Sequence, residues 1–177
     1  MSNQDSPQDT AQAVAPANGD HTVDGTPKSF STITPFLAVA DPKGAMEFYR
    51  EVFGARVISC ASFGDTVAHA ELGFANGRLQ LGAAQAGYGL RAPDPADDTV
   101  SASFGIYVPN VDEVAAAAVE AGAVLREETV TFVSGDRYAS LRDPFGIRWS
   151  VMTRVEDLSD EESAARVDAW AAEQSKS

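Results

Sequence analysis

Two stretches, VADPKGAMEFYREVFGA (residues 39–55) and VPNVDEVAAAAVEAGA (residues 108–123), share one layout, and that echo decides the fold. In the first, Asp41 can cap a helix with Pro42 at its opening position. Ala45, Phe48, Tyr49, Val52 and Phe53 then fall on one helical face before Gly54 ends the run. In the second, Asn110 and Glu113 make a capping-box-like start to a helix that Gly122 stops.

Working outward, each helix follows a strand-like run (STITPFLAV, SASFGIYV) and precedes three more. The strands are expected near 56–62, 66–75 and 78–83, then near 124–130, 136–142 and 146–153. Each half reads strand-helix-strand-strand-strand, and neither could cover its own sheet alone. The expected fold is therefore α+β: two βαβββ modules forming a curved, partly open eight-stranded sheet around a cleft. Module 1 spans 31–83 and module 2 spans 99–155, with a linker loop over 84–98. Ser159 and Glu162 form a capping box for a C-terminal helix within 156–177, whose Ala164, Val167, Trp170 and Ala171 make a narrow apolar stripe. Residues 1–30 are poor in large apolar side chains and are expected to be a disordered tail.

Charge and composition narrow the function classes. The net charge of the 177 residues is −13, concentrated in the tails and the linker, which argues against nucleic acid as a partner. No apolar run approaches the roughly 20 residues of a membrane helix, and no signal pattern opens the chain, so a cytoplasmic location without membrane contact is expected. The single cysteine, Cys60, excludes an internal disulfide and reads as a small buried hydrophobe. There is no P-loop, no strand-GxGxxG-helix fingerprint and no GxSxG elbow.

Strand alternation assigns the candidate site. With Asn76-Gly77 as a two-residue turn, Gly73 would pair with Gln80 and Glu71 with Gly82. One face then carries Leu72, Phe74, Leu79 and Leu81, and the other His69, Glu71, Arg78 and Gln80. DPFG (143–146) is a type I turn, after which Ile147, Trp149 and Val151 share one face and Arg148, Ser150 and Met152 the other. The first strands add Thr34 and Phe36, and Ser103 and Tyr107, to the polar side. A lining of Thr34, Phe36, Gln80, Ser103, Tyr107, Arg148 and Ser150 suits a polar or aromatic small molecule. Arg148 is the candidate to fork onto a ligand carboxylate or phosphate. Arg137 and Arg142 read first as surface ion pairs. The linker reads first as a mobile connection, and the alternative is a lid that carries Tyr88, Leu90 or Arg91 over the cleft. His69 and Glu71, at i and i+2, remain open between a ligand-positioning pair, a general base with its orienter, and weak metal ligands.

Paired βαβββ modules, TPFLAVADPKGAMEFYREVFGA (34–55), HAEL (69–72), GDRY (135–138), DPFGIRWS (143–150) and VEDLSDEE (155–162) together resemble the vicinal oxygen chelate superfamily. This is the glyoxalase/bleomycin-resistance/dioxygenase group, and the resemblance is strongest to its PhnB-like branch, over residues 31–163. It implies a fold shared by isomerases, dioxygenases, thiol transferases and non-catalytic drug-binding proteins, commonly homodimeric. Catalytic members hold a metal on four His or Glu side chains; the matching positions here are Thr34, Gln80, Ser103 and Ser150, which are poor ligands for a divalent transition metal. The resemblance therefore implies a metal-independent small-molecule binder without cofactor, with sequestration of a drug or metabolite as its most concrete version. The alternative is a lyase, isomerase or dioxygenase that uses His69 and Glu71, with or without a divalent metal.

Overall fold

The computed structural model describes residues 14–176. Module 1 runs β3 (Phe36–Val39), α1 (Pro42–Phe53), β4 (Arg56–Phe63), β5 (Thr66–Gly73) and β6 (Arg78–Ala83); module 2 runs β7 (Ser103–Tyr107), α2 (Val111–Glu120), β8 (Val124–Thr131), β9 (Asp136–Arg142) and β10 (Arg148–Arg154). The α+β class and the repeated βαβββ order are as the sequence predicts. The strands form two sheets of four, ordered β3-β6-β5-β4 and β7-β10-β9-β8, and no backbone pairing joins the two sheets among the described residues. In each sheet the first strand runs parallel to the last strand of its module, while the others pair antiparallel.

Local chemistry sets the helices. The Asp41 side chain accepts from the Gly44 amide at the head of α1, and Gly54 closes it in the left-handed conformation at φ 67°. Asn110 caps α2 by accepting from Asp112 and Glu113 amides. The expected capping box at Ser159 and Glu162 is complete, and α3 follows over Asp160–Gln174. Its Trp170 meets Phe132 edge-on at 5.0 Å.

The β5–β6 hairpin corrects the expected register. Leu72 pairs with Leu79, Glu71 with Gln80 and Gly73 with Arg78, two residues from the expected pairing. The turn is the four residues Phe74–Gly77, closed by the Phe74 amide donating to the Gly77 carbonyl at 2.9 Å. Because side chains alternate with period two, a slip of two leaves every face assignment intact. A second correction concerns Thr34, which lies ahead of β3. Its hydroxyl donates to the Ser31 carbonyl at 3.2 Å, and Pro35, lacking an N–H, contributes only its carbonyl, to the Gln80 amide.

The N-terminal segment also differs from expectation. Thr22–Val23 (β1) and Thr26–Pro27 (β2) form a small hairpin, braced by the Asn18 side chain against Asp24. Ser29 and Phe30 then lie against Arg78, whose guanidinium sits 4.1 Å from the Phe30 ring centre. Residues 1–13 lie outside the described residues. Cys60 is exposed rather than buried, because β4 is an edge strand with every side chain open to solvent.

The core joins the two modules. Leu37, Val39, Leu72, Leu79 and Leu81 of sheet 1 share one buried cluster with Ala139, Leu141, Trp149 and Val151 of sheet 2. Helix α1 links them through aromatic rings: Phe53 lies 4.9 Å and Tyr49 5.4 Å from Trp149, and Phe48 lies 6.1 Å from Phe145. Each such pair contributes roughly 0.5–1.5 kcal/mol beyond its buried area.

Candidate functional site

The DPFG turn is as expected, with the Gly146 amide donating to the Asp143 carbonyl at 3.1 Å and Gly146 at φ 85°. Its first residue is the feature that sequence reading missed. Asp143 is 2 % exposed. Its Oδ2 accepts from the Tyr49 hydroxyl of module 1 at 2.7 Å and from Trp149 Nε1 at 2.9 Å, while Oδ1 accepts from the amides of Phe145 and Ile147. Burial pushes the Asp143 carboxyl above its ordinary range, against the opposing pull of these donors. Burial, then the Asp143 charge, pushes the Tyr49 hydroxyl up as well. The turn is thus a structural tie between modules, which fixes where β10 begins and hence where Arg148 stands.

In module 1 the expected polar face is present and is braced within itself. Arg78 donates to Glu71 at 2.8 Å and Gln80 donates to the other Glu71 oxygen at 3.4 Å. His69 stacks on Phe36, ring centres 5.9 Å apart. Glu71 and His69 share no hydrogen bond among the described residues, so Glu71 orients Arg78 and Gln80 rather than the imidazole. In module 2 the Tyr107 hydroxyl reaches Asp136, which also holds Arg154 and Ser134. Tyr138 reaches Glu127 at 3.4 Å. Arg137 forks onto Asp112 at the head of α2, at 2.7 and 2.8 Å, in the expected surface pair.

A concavity of ≈ 1020 Å³ lies where β3, β7 and the start of β10 meet the linker. Of the expected lining, Phe36 and Arg148 face it; Thr34, Gln80, Ser103, Tyr107 and Ser150 do not. Ser103 and Ser150 stand beside it on the sheet, paired with Arg148 and Gly105. The linker supplies Leu90, Arg91, Pro93, Asp94 and Asp97 to the lining, while Tyr88 is exposed and does not line it.

The linker is pinned at Asp98. Arg126 of β8 forks onto both carboxylate oxygens, its Nε at 2.7 Å from Oδ1. Arg142 of β9 and Arg148 of β10 reach Oδ1 at 3.1 and 3.3 Å, and Arg148 also donates to the Asp98 backbone carbonyl at 2.7 Å. The hydrogen bond from Arg126 holds the Asp98 carboxyl below its ordinary range. A depressed carboxyl keeps its contribution above the free value and loses it only as pH falls through the lowered value. Linker attachment is therefore expected to be constant from neutral pH down to about pH 5 and to weaken only below about 4. Amide exchange of residues 84–98, corrected for intrinsic rates, checks this.

The residues that the resemblance aligns with metal positions are poor metal ligands. Thr34, Gln80, Ser103 and Ser150 offer hydroxyls and one neutral amide, and no group of three His, Cys, Asp or Glu among the described residues could hold an ion. No helix among them is long and apolar enough to cross a membrane.

Comparison with known proteins agrees with this architecture. No curated protein matches the sequence. Among solved structures, the gene product AT5G48480 of Arabidopsis thaliana is 26 % identical with a TM-score of 0.55, covering 69 % of this chain and 98 % of its own. TioX from Micromonospora sp. ML1 is 23 % identical at TM-score 0.55, covering 73 % of this chain and all of its own. PA1353 from Pseudomonas aeruginosa, 18 % identical at TM-score 0.57, covers 69 % and 96 %. The family model for the Glyoxalase/Bleomycin resistance protein/Dioxygenase superfamily matches residues 20–151, and the chain belongs to that superfamily.

Proposed function

We propose that this protein is a metal-independent small-molecule-binding member of the superfamily, of its PhnB-like branch, acting in the cytoplasm as a homodimer. The observation that carries the reading is the ≈ 1020 Å³ concavity between the linker and the first strands of both modules. Its volume is that of a site for a drug-sized compound, and its walls join apolar side chains to the cationic head of Arg148. The donor set at the metal positions supports independence from metal, and the exposed edge strands β4 and β8 leave room for a second copy. The enzymatic alternative through His69 and Glu71 is less well supported, because Arg78 and Gln80 engage both Glu71 oxygens.

A thermal-shift screen against small organic compounds tests the reading. The expected result is an unfolding midpoint that climbs with ligand concentration as mass action requires, with no change on adding a chelator or zinc. A midpoint that collapses on chelation, with near-stoichiometric metal in the purified protein, would overturn it.

A further inference from the structure

We propose that Asp98 is an internal stand-in for the carboxylate of an amphipathic ligand: the Arg126–Arg142–Arg148 cluster is a carboxylate seat, and the ligand's apolar body fills the adjoining concavity. The inference rests on the small-molecule reading above and names the ligand class. Three guanidiniums from three adjacent strands of sheet 2 converge on a single carboxylate. Cations of like sign repel, so such a cluster is unfavourable unless an anion compensates it. Glu127 acts on Arg126, while Arg142 and Arg148 share Oδ1 of Asp98. The Arg148 Nε is buried with no hydrogen-bond partner among the described residues. An orphaned buried donor is a loss that a larger or better placed anion would recover.

The geometry selects a planar carboxylate. Arg126 meets both oxygens of Asp98 side-on, the fork-to-fork arrangement in which a guanidinium matches a carboxylate. The two partners also differ in exposure. The Arg142 and Arg148 side chains are 13 % and 15 % exposed, whereas Asp98 is 53 % exposed. The cations are built into the sheet, while the anion arrives from solvent on a loop and can be exchanged. Beside the seat, Phe36, Leu90, Pro93, Val100, Phe104 and Ile147 give the concavity an apolar wall. The concavity thus joins a cationic end at Arg148 to an apolar wall, with Arg91, Asp94 and Asp97 of the linker also lining it, and a carboxylate on an apolar body complements that end and that wall. Binding displaces the Asp98 carboxylate while the ligand body packs against Leu90 and Pro93 of the linker. A tethered Asp98 competes as an intramolecular ligand with an effective concentration on the order of millimolar, so removing it should tighten binding.

Titration calorimetry with three matched probes tests this: 2-naphthoate, the uncharged 2-naphthylmethanol and 2-naphthyl phosphate. Asp98→Ala is expected to bind 2-naphthoate at least about tenfold more tightly than the parent and about tenfold more tightly than it binds the alcohol. Adding Arg148→Ala to that variant should remove the preference. In the parent, 2-naphthoate should speed amide exchange at residues 97–99, next to the displaced Asp98 carboxylate. Equal affinity for acid and alcohol in Asp98→Ala would overturn the carboxylate seat while leaving a small-molecule cavity. A stronger preference for the phosphate would overturn the carboxylate assignment. Failure of all three probes to bind Asp98→Ala would overturn the inference, while the ligand-dependent midpoint separately decides the small-molecule reading. Circular dichroism of both variants shows that they are folded.

Discussion

Asp143→Asn should lower the stability of this protein by about 2–3 kcal/mol, the cost of leaving buried donors unmatched, although the two side chains have nearly the same shape. Every partner of the Asp143 carboxylate is a donor in the observed arrangement: the Tyr49 hydroxyl, the Trp149 indole and two backbone amides. A carboxylate accepts on both oxygens, but an amide offers one oxygen and one NH₂. In one orientation the NH₂ faces the amides of Phe145 and Ile147; in the other it faces the Trp149 indole, which cannot turn into an acceptor. Tyr49→Phe removes a single donor and leaves the carboxylate its other three, so about 1 kcal/mol is expected there. Urea unfolding of the three proteins measures both differences. For a chain of this size the Asn change corresponds to a fall of about 4–12 °C in the midpoint. An Asn variant within about 0.5 kcal/mol of the parent would show that Asp143 does not tie the modules.

The consequence reaches the site. Asp143 holds the turn that starts β10, and the same turn packs against the linker: a Cβ at Gly146 would come within 2.9 Å of Pro93 and 3.3 Å of Asp94. Module docking, the position of Arg148 and the seating of the linker all depend on one buried carboxyl. Under the small-molecule reading proposed above, loosening it should weaken ligand binding through geometry without removing a ligand contact.

Local rules explain what could be read in the sequence. Helix α1 was legible because its cap, its stop and its apolar face are written in consecutive residues, from Asp41 to Gly54. The polar face of His69, Glu71, Arg78 and Gln80 survived a misplaced hairpin turn because the error was even. What could not be read were contacts that depend on module docking. Nothing near Asp98 in sequence announces that Arg126, Arg142 and Arg148, at separations of 28, 44 and 50 residues, will meet it. Asp143 was legible as a turn residue, but its partnership with Tyr49, 94 residues away, was not. The alternation rule puts Ser150 and Tyr107 on the same face as Arg148, but only Arg148 of the three lines the concavity, because a face is longer than a pocket. The linker, whose composition gives no periodicity, decides which part of it the cavity uses.

Two glycines on the lining faces should respond oppositely to the same substitution. Gly82 of β6 stands opposite Ala38 on β3, on the face that carries Gln80 and Phe36. A Cβ there would overlap the Ala68 carbonyl oxygen, come within 2.9 Å of its carbon and press on the Phe36 ring at 3.1 Å. The obstacle is backbone, so relief requires β5 and β6 to part, and Gly82→Ala is expected to cost about 3 kcal/mol, at the upper end for forced overpacking. Phe36 must also shift, which disturbs its stack on His69 and its place in the cavity wall. Gly105 of β7 is exposed, and a Cβ there would meet only the Met152 methyl at 3.0 Å, the far end of a flexible side chain. Gly105→Ala should therefore change stability by no more than about 0.5 kcal/mol. Thermal or urea unfolding of the pair provides its own control, since both changes add one methyl group to a strand. A similar cost at both positions would mean that the price is strand propensity. A large cost at Gly82 alone would mean that the close approach of β5 and β6 sets the curvature on which the Phe36 wall is built.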